Sequence, residues 1–356
     1  MDELELILKQ KLICILIILM EVCVYAQSDN PADRYINVYK QYEEAECPLE
    51  KDEIKHFVYF IRDRHKIQDH PFLNVPRFEG AQIMYSWVEL EPSKDNYDFS
   101  MVRDDYAYLA SHGKKLFLQL QDATFNPQYK GVPDYLLTEE YDGGAIYQRS
   151  ESGEPWGWVA KRWNEKVQIR FSQLMQVLGR EFDGKIEGIN LQESAIGVSH
   201  EADSSFTPAL YAESLKTNML ALKKAFPKST TMQYGNFMSG EWLPWEDKGY
   251  LRSIYQYGEK IGVGLGGPDL MVQRKPQLNH ALAMMHEYTY TVPLGIAVQE
   301  GNYIGQTGSD EIIQDRENIV PLLHAFAKSF LKVQYMFWVY QEPYFTEDVL
   351  PCFVAK

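Results

Sequence analysis

Cysteine is scarce in this sequence, with four residues in 356, and two of them, Cys14 and Cys23, fall inside the first 26. That excludes a disulfide-dense scaffold. No Cys/His cluster has metal-ligand spacing, and His286 has no second histidine four residues on, so no metal is expected. Basic residues are in deficit, 35 Lys and Arg against 50 Asp and Glu, for a net charge of −15. This disfavours nucleic acid and anionic membrane as partners, and weakly disfavours a polyanionic substrate. The longest apolar run, "LICILIILM" near the N-terminus, is too short to span a bilayer well. There is no Pro/Gly/Ser linker and no short repeat to divide the chain. What is abundant is aromatic residues, 13% with 24 Tyr and 7 Trp, in a chain whose 45% hydrophobic content suffices for a large core.

The N-terminus has the pattern of a secretory signal. Lys9 and Lys11 precede the apolar run, and "VCVYAQ" offers cleavage after Ala26. The expected division is a signal peptide over 1–26, an N-terminal extension over 27–52 and a single domain over 53–356. The protein is then exported, to the periplasm or outside the cell, with no stable membrane insertion once the signal is removed. Cys47 and Cys352 remain, near the two ends of the mature chain. Export permits them to form a disulfide that would staple first and last elements together; the alternative is two separate thiols.

Strand-like apolar runs alternate with helix-like ones. The strand candidates begin at His56 ("HFVYFIR"), Ala81 ("AQIMYSW"), Lys114 ("KKLFLQLQD") and Lys185 ("KIEGINLQE"). The others begin at Thr230 ("TTMQYGNF"), Gly262 ("GVGLGG"), Pro293 ("PLGIAVQEG") and Val333 ("VQYMFWVYQ"). Between them, "FSMVRDDYAYLASHGK" places Val102, Tyr106, Leu109 and Ala110 on one helical face and stops at Gly113. Eight strands alternating with helices point to an α/β fold, a (β/α)8 TIM barrel in one domain, rather than a doubly wound open sheet. "GVGLGG" satisfies a dinucleotide-binding spacing, but Pro268 follows at once where a helix should open, so it reads as a glycine-rich strand and no cofactor is expected.

In such a barrel, reactive groups sit at the C-terminal ends of strands. The fourth candidate ends with Asn190, Gln192 and Glu193, and the seventh with Gln299, Glu300 and Asn302. The other ends carry Arg62, Trp87, Gln121, Asn236, Asp269 and Trp338. Two carboxyls at one mouth meet the needs of glycosidic bond cleavage: one protonates the leaving oxygen, the other attacks the sugar carbon or activates water. Amides bind sugar hydroxyls, and a Trp offers the ring a platform. Glu193 and Glu300 are therefore the catalytic candidates, with Arg62, Trp87, Gln121, Asn190, Gln192, Asn236, Gln299 and Trp338 as substrate contacts. Trp338 has core packing as its competing role. Glu241 and Glu342 are rival carboxylates, and Trp242 and Trp245 candidates for outer sugar subsites.

The stretch "GAQIMYSWVELEPSKDNYDFS" followed by "HGKKLFLQLQ" resembles the second and third strands of clan A glycoside hydrolases, of the β-galactosidase, β-mannanase and cellulase type. The resemblance rests on Trp87, Leu90, Glu91, Pro92, Tyr97, Asp98 and Phe99 and extends in order over roughly residues 53 to 342. It implies an acid/base Glu ending strand four and a nucleophilic Glu ending strand seven, the slots of Glu193 and Glu300. It departs at Gln192, where the clan usually has Asn, which marks an atypical family and leaves the substrate open. Glu91 and Asp98 read as structural parts of the turn.

The expectation is thus a retaining glycosidase acting on a β-linked carbohydrate. Glu193 serves as acid then base, Glu300 as nucleophile, and the two carboxyls lie roughly 5 to 5.5 Å apart. The alternatives are a non-catalytic carbohydrate-binding barrel and, with fewer strand-end ligands in its favour, a metal-dependent hydrolase.

Overall fold

A computed structural model describes residues 33–150, 152–307, 316 and 318–354. The signal-peptide expectation lies outside these residues.

The eight barrel strands are β1 (Lys55–Tyr59), β2 (Phe78–Ser86), β3 (Lys115–Gln121), β6 (Gly188–Leu191), β7 (Thr230–Tyr234), β8 (Gly264–Gly267), β9 (Leu294–Val298) and β10 (Tyr335–Val339). All pair in parallel, and β1 hydrogen-bonds to both β2 and β10, closing the barrel in the order β1-β10-β9-β8-β7-β6-β3-β2. Every strand expected from the sequence is present. Two more, β4 (Ala145–Arg149) and β5 (Pro155–Ala160), form an antiparallel hairpin in the loop after β3 and were not legible in the sequence.

The main helices are α1 (Ser100–Ser111), α2 (Glu165–Phe182), α3 (Pro208–Ala225), α4 (Tyr250–Ile261), α5 (Ala281–Glu287) and α6 (Ile319–Phe326). α1 buries Val102 and Leu109 as expected, but its third inward residue is Asp105 and Ala110 is exposed. Asp105 accepts from Arg64 and the Tyr85 hydroxyl, so a buried carboxylate is tolerated there by paired donors. Gly113 ends the helix region at φ +69°, a conformation that favours glycine.

Contacts across the lumen show which side chains point inward. Phe57, Phe117 and Phe337, from β1, β3 and β10, meet ring to ring at 4.9–5.8 Å. Above them Gln82 Nε2 donates to Asn190 and to the Tyr234 hydroxyl, and Tyr59 donates to Gln119 at 2.6 Å. On the β8–β9 side the lumen is filled from elsewhere: a Cβ on Gly266 would lie 2.3 Å from the Gly295 carbonyl oxygen, and one on Gly295 would meet Met232. The glycines of "GVGLGG" therefore serve close strand packing.

Alternation fixes the fate of two tryptophans. Trp338 lies between inward-facing Phe337 and its successor and points away from the lumen, fully buried, with its indole N–H donating to His56 Nδ1 at 3.2 Å. Trp87 is equally buried behind β2, packed on Phe171 and donating to Glu91 at 2.8 Å. Neither reaches the mouth, and the expectation that they contact substrate is corrected. Glu91 also accepts from Arg170 and Tyr135, and Asp98 accepts from the Ser100 N–H at the start of α1.

Cys47 and Cys352 are disulfide-bonded, with Cα atoms 4.7 Å apart across 305 residues of sequence. The bond ties the segment before β1 to the segment after β10, beside the seam where the barrel closes. Asp52, in the same segment, accepts from His324 and Arg77. Replacing both cysteines by alanine is expected to lower stability by about 2–4 kcal/mol. Denaturant titration of the double variant against the parent under oxidising conditions measures this.

Candidate active site

Glu193 follows β6 by two residues and is half-buried at the barrel mouth. Its position is held from three sides. Asn236, after β7, donates from Nδ2 to Glu193 Oε2 at 2.5 Å. The Asn236 Oδ1 in turn accepts the backbone N–H groups of Ala195 and Phe237, which fixes which way its amide faces. Arg162, entering from the end of β5, is buried and pairs with Asp122 through two hydrogen bonds of 2.6 and 2.7 Å. The same guanidinium donates to the Glu193 carbonyl at 2.9 Å and to the Tyr211 hydroxyl at 2.7 Å, and Tyr211 donates to the Ser194 carbonyl.

Gln192, the residue that departs from the clan pattern, uses its amide oxygen to accept the N–H groups of Asp122 and Ala123 at 2.9 and 2.7 Å. It thereby clamps the ends of β3 and β6 together one residue before Glu193. Arg162 and Tyr211 carried no strand-end signal, and Asp122, which ends the third strand candidate, gave no sign of its partner. They converge from the hairpin, α3 and the end of β3, which no local pattern could reveal.

The carboxyl group that acts on Glu193 is Asp269, two residues after β8. It is buried and accepts from Gln299 Nε2 at 3.0 Å and Asn302 Nδ2 at 3.1 Å. Asn302 is locked in its turn, its Oδ1 accepting the N–H groups of Leu270 and Gln299. Burial pushes the Asp269 carboxyl up to about 7, against the pull of the Asn302 hydrogen bond and the Arg274 charge. Burial, then the charge of Asp269, push Glu193 up to about 8, against Asn236 and Arg162. Both carboxyls are thus held above the usual carboxylate range, Glu193 further by the charge of Asp269, which is the condition a general acid at this mouth requires. Tyr59, at the end of β1, senses both: burial holds its hydroxyl well above the usual range, reinforced by Tyr234, Glu193 and Asp269.

Glu300 is buried at the end of β9, where its charge acts on Tyr344 beyond β10. Its neighbour Gln299 is the side chain that reaches Asp269. Of the other expected contacts, Gln121 ends β3 with its Oε1 buried and unpaired among the described residues. Asn190 lies one layer down in the lumen, bonded to Gln82. Arg62 sits at the β1 end with its guanidinium 4.1 Å over the Tyr129 ring.

The rival carboxylates are occupied elsewhere. Glu241 accepts from His280 and from the N–H groups of Lys248, Tyr250 and Leu251, capping the start of α4. Glu342 is exposed and bonded to Thr346. Two His/carboxylate groupings lie close enough to hold a metal, Asp52–His56–His324 and Glu241–Asp247–His280. In each the carboxylates already serve arginine, histidine or backbone donors.

Aromatic residues rise around the mouth. The β4–β5 hairpin packs on the loop after Glu193 through Arg149 N–H to the Gly197 carbonyl and Gly197 N–H to Gln148. It presents Trp156 against Phe125 at 4.8 Å. On the β7 side, Phe237 and Trp242 lie 6.0 Å apart, and Trp245 is 56% exposed.

Tyr211→Phe removes the hydrogen bond to the Ser194 carbonyl and the one accepted from Arg162, next to Glu193, while keeping the ring's packing. It is expected to lower stability by about 1 kcal/mol. In an active protein, it should also move the alkaline limb of the pH–rate profile, a readout that lost packing alone leaves in place.

No family model matches the chain, and no curated protein matches it. Solved structures do. The catalytic domain of β-amylase from Paenibacillus polymyxa superposes with a TM-score of 0.55 at 10% identity, covering 82% of this chain and 93% of that one. Xylanase 10B from Thermotoga petrophila, solved with xylobiose, gives 0.47 at 9% identity over 89% of each chain. Endoglycoceramidase II from Rhodococcus gives 0.47 at 10% identity, over 82% of this chain and 75% of that one. The β-amylase superposition establishes a shared (β/α)8 architecture.

Proposed function

We propose that the protein is a glycoside hydrolase in which Glu193 is the general acid. The observation that carries this reading is a pair of mouth carboxyls, Glu193 held by Asn236 and Asp269 held by Gln299 and Asn302, with Glu193 raised above the usual carboxylate range by burial and by the charge of Asp269. A protonated Glu193 gives its proton to the glycosidic oxygen as the bond to the sugar breaks. Asp269, ionised and held by Gln299 and Asn302, attacks the anomeric carbon to form a glycosyl-enzyme ester. Glu193, now a carboxylate, takes a proton from water, which displaces Asp269 and restores both groups. Asn236 orients Glu193, and the exposed aromatic residues provide sugar platforms. The fold shared with the β-amylase catalytic domain fits this reading, and the disulfide fits an exported protein.

A second reading keeps Glu193 and assigns the attack to Glu300, which is buried at the end of the seventh barrel strand. The strand-seven position favours it; the electrostatic link to Glu193 favours Asp269.

A panel of aryl β-glycosides tests the activity, with proton NMR of the first-formed product reading its anomeric configuration. Retention is expected, with an alkaline limb of the pH–rate profile near the raised value of Glu193, about 8. An inverted product would make Asp269 a base that activates water. Absence of hydrolysis across neutral and acidic glycosides, with binding intact, would leave the carbohydrate-binding barrel.

A further inference from the structure

Most arginines of this acidic chain are matched by carboxylates. Arg64 has Asp105, Arg77 has Asp52, Arg162 has Asp122, Arg170 has Glu91 and Arg252 has Asp247. Two at the mouth are different. Arg62, after β1, lies over Tyr129, and Arg274, in the turn after Asp269, lies 6.0 Å from the Phe237 ring. Neither has a carboxylate in ion-pair contact among the described residues. A ring face holds a guanidinium without using its in-plane N–H donors; Arg274 turns one of its own toward Met271 Sδ at 3.6 Å, a weak acceptor that a carboxylate can replace.

Their placement relates them to the reacting centre. In the barrel order, β8 stands three strands from β1, across β10 and β9, with the Glu193 strand β6 between β8 and β3 on the other side. The charge of Arg62 reaches Tyr59, which also senses Glu193 and Asp269, and the charge of Arg274 reaches Asp269. Cations thus stand at the ends of two strands of the same mouth, each over an aromatic ring. In a chain of net charge −15, an anionic ligand meets general repulsion, so local unpaired cations are what would admit one.

Resting on the reading of this mouth as a sugar site, we infer that its ligand is an acidic glycan, with uronic acid residues whose carboxylates pair with Arg62 and Arg274 on either side of the scissile bond. This reverses the weak exclusion of polyanionic substrates drawn from net charge. Net charge averages over the whole surface, whereas recognition depends on the few groups at the mouth. Neutral sugar hydroxyls would be served by Gln121, Asn236 and Gln299; the two arginines add the charge selection.

The test is binding to the full-length Glu193→Gln protein, which separates recognition from turnover. Calorimetric titrations would use uronic acid oligomers from homogalacturonan, alginate and glucuronan, each beside its carboxyl-reduced neutral counterpart of the same linkage. Sulfated neutral oligomers serve as a control for charge alone. At least one uronate oligomer is expected to bind about tenfold or more tighter than its neutral counterpart. Arg62→Gln and Arg274→Gln should each erode that ratio. Equal or weaker binding of every uronate oligomer, binding of neither class, a ratio unchanged in the double arginine variant, or equal preference for sulfate would each overturn the inference. Wild-type hydrolysis is scored separately. Cleavage of neutral glycosides without an acidic preference sinks this inference alone, while selective binding of uronates without cleavage sinks only the glycosidase reading.

Discussion

Glu193→Gln is expected to lower kcat by about 10²–10⁴-fold on glycosides with poor leaving groups. With a 2,4-dinitrophenyl leaving group, whose departure needs no proton, the loss of the first step should nearly vanish. The contrast between leaving groups identifies the acid; a uniform loss across them would assign Glu193 a different role. The same substitution should change stability with a definite sign. The folded-state value of Glu193 is about 8, raised by burial and by Asp269, while an unfolded glutamate titrates near 4.3. Between these values the folded state binds the extra proton, so wild-type stability falls as pH rises from the unfolded value through about 8. Gln carries no such cost. The variant should therefore melt above wild type at pH 9, with the difference gone by about pH 4. Equal melting temperatures at pH 9 would show that the carboxyl is not held against its preferred ionisation.

Asp269→Asn has the other large expected effect, a loss on the order of 10⁴-fold or more in kcat, as for removal of a reacting group. If Asp269 is the nucleophile, azide should restore turnover of an activated aryl glycoside and yield the glycosyl azide of inverted configuration. Glu300→Gln, measured in parallel, should keep most of its activity. Silencing by Glu300→Gln with azide rescue of Glu300→Ala would transfer the role to Glu300. Asp269→Asn also has a signature at Glu193. Removing a neighbouring negative charge makes ionisation of Glu193 easier, so its titration should move below about 8. Carbon NMR of labelled glutamate would follow this without any need for turnover.

The barrel was legible because its strands are short apolar runs separated by amphipathic helices, a rhythm that survives without knowledge of any contact. Glu193 was legible for the same reason, since a strand end is a place in that rhythm. Asp269 was visible only as one strand-end residue among several. Its strand is four residues of mostly glycine, followed by Pro268, and nothing local signals that Gln299 and Asn302 will converge on it. The two tryptophans show the opposite failure. Period-two alternation in "VQYMFWVYQ" puts Trp338 on the side opposite Tyr335 and Phe337, and that geometry prevails over the aromatic chemistry that suits a sugar platform. In the sequence Gln192 reads as a sugar contact in place of the clan's Asn. Its amide oxygen proves to be taken by two backbone N–H groups, a bond that only the approach of β3 to β6 creates.

The Cys47–Cys352 bond makes the chain a covalent ring around the barrel axis, so which strand counts as first is an accident of where the chain is cut. Joining residues near Cys47 and Cys352 by a short peptide and opening the chain at Gly113 gives a circular permutant. That turn is exposed, with open space around the glycine, and lies between α1 and β3, at the end of the barrel away from the mouth. Such a permutant keeps every strand pairing and begins at β3. Its first two barrel strands would then be those that carry Gln121 and Glu193, with the former seam in the interior of the sequence.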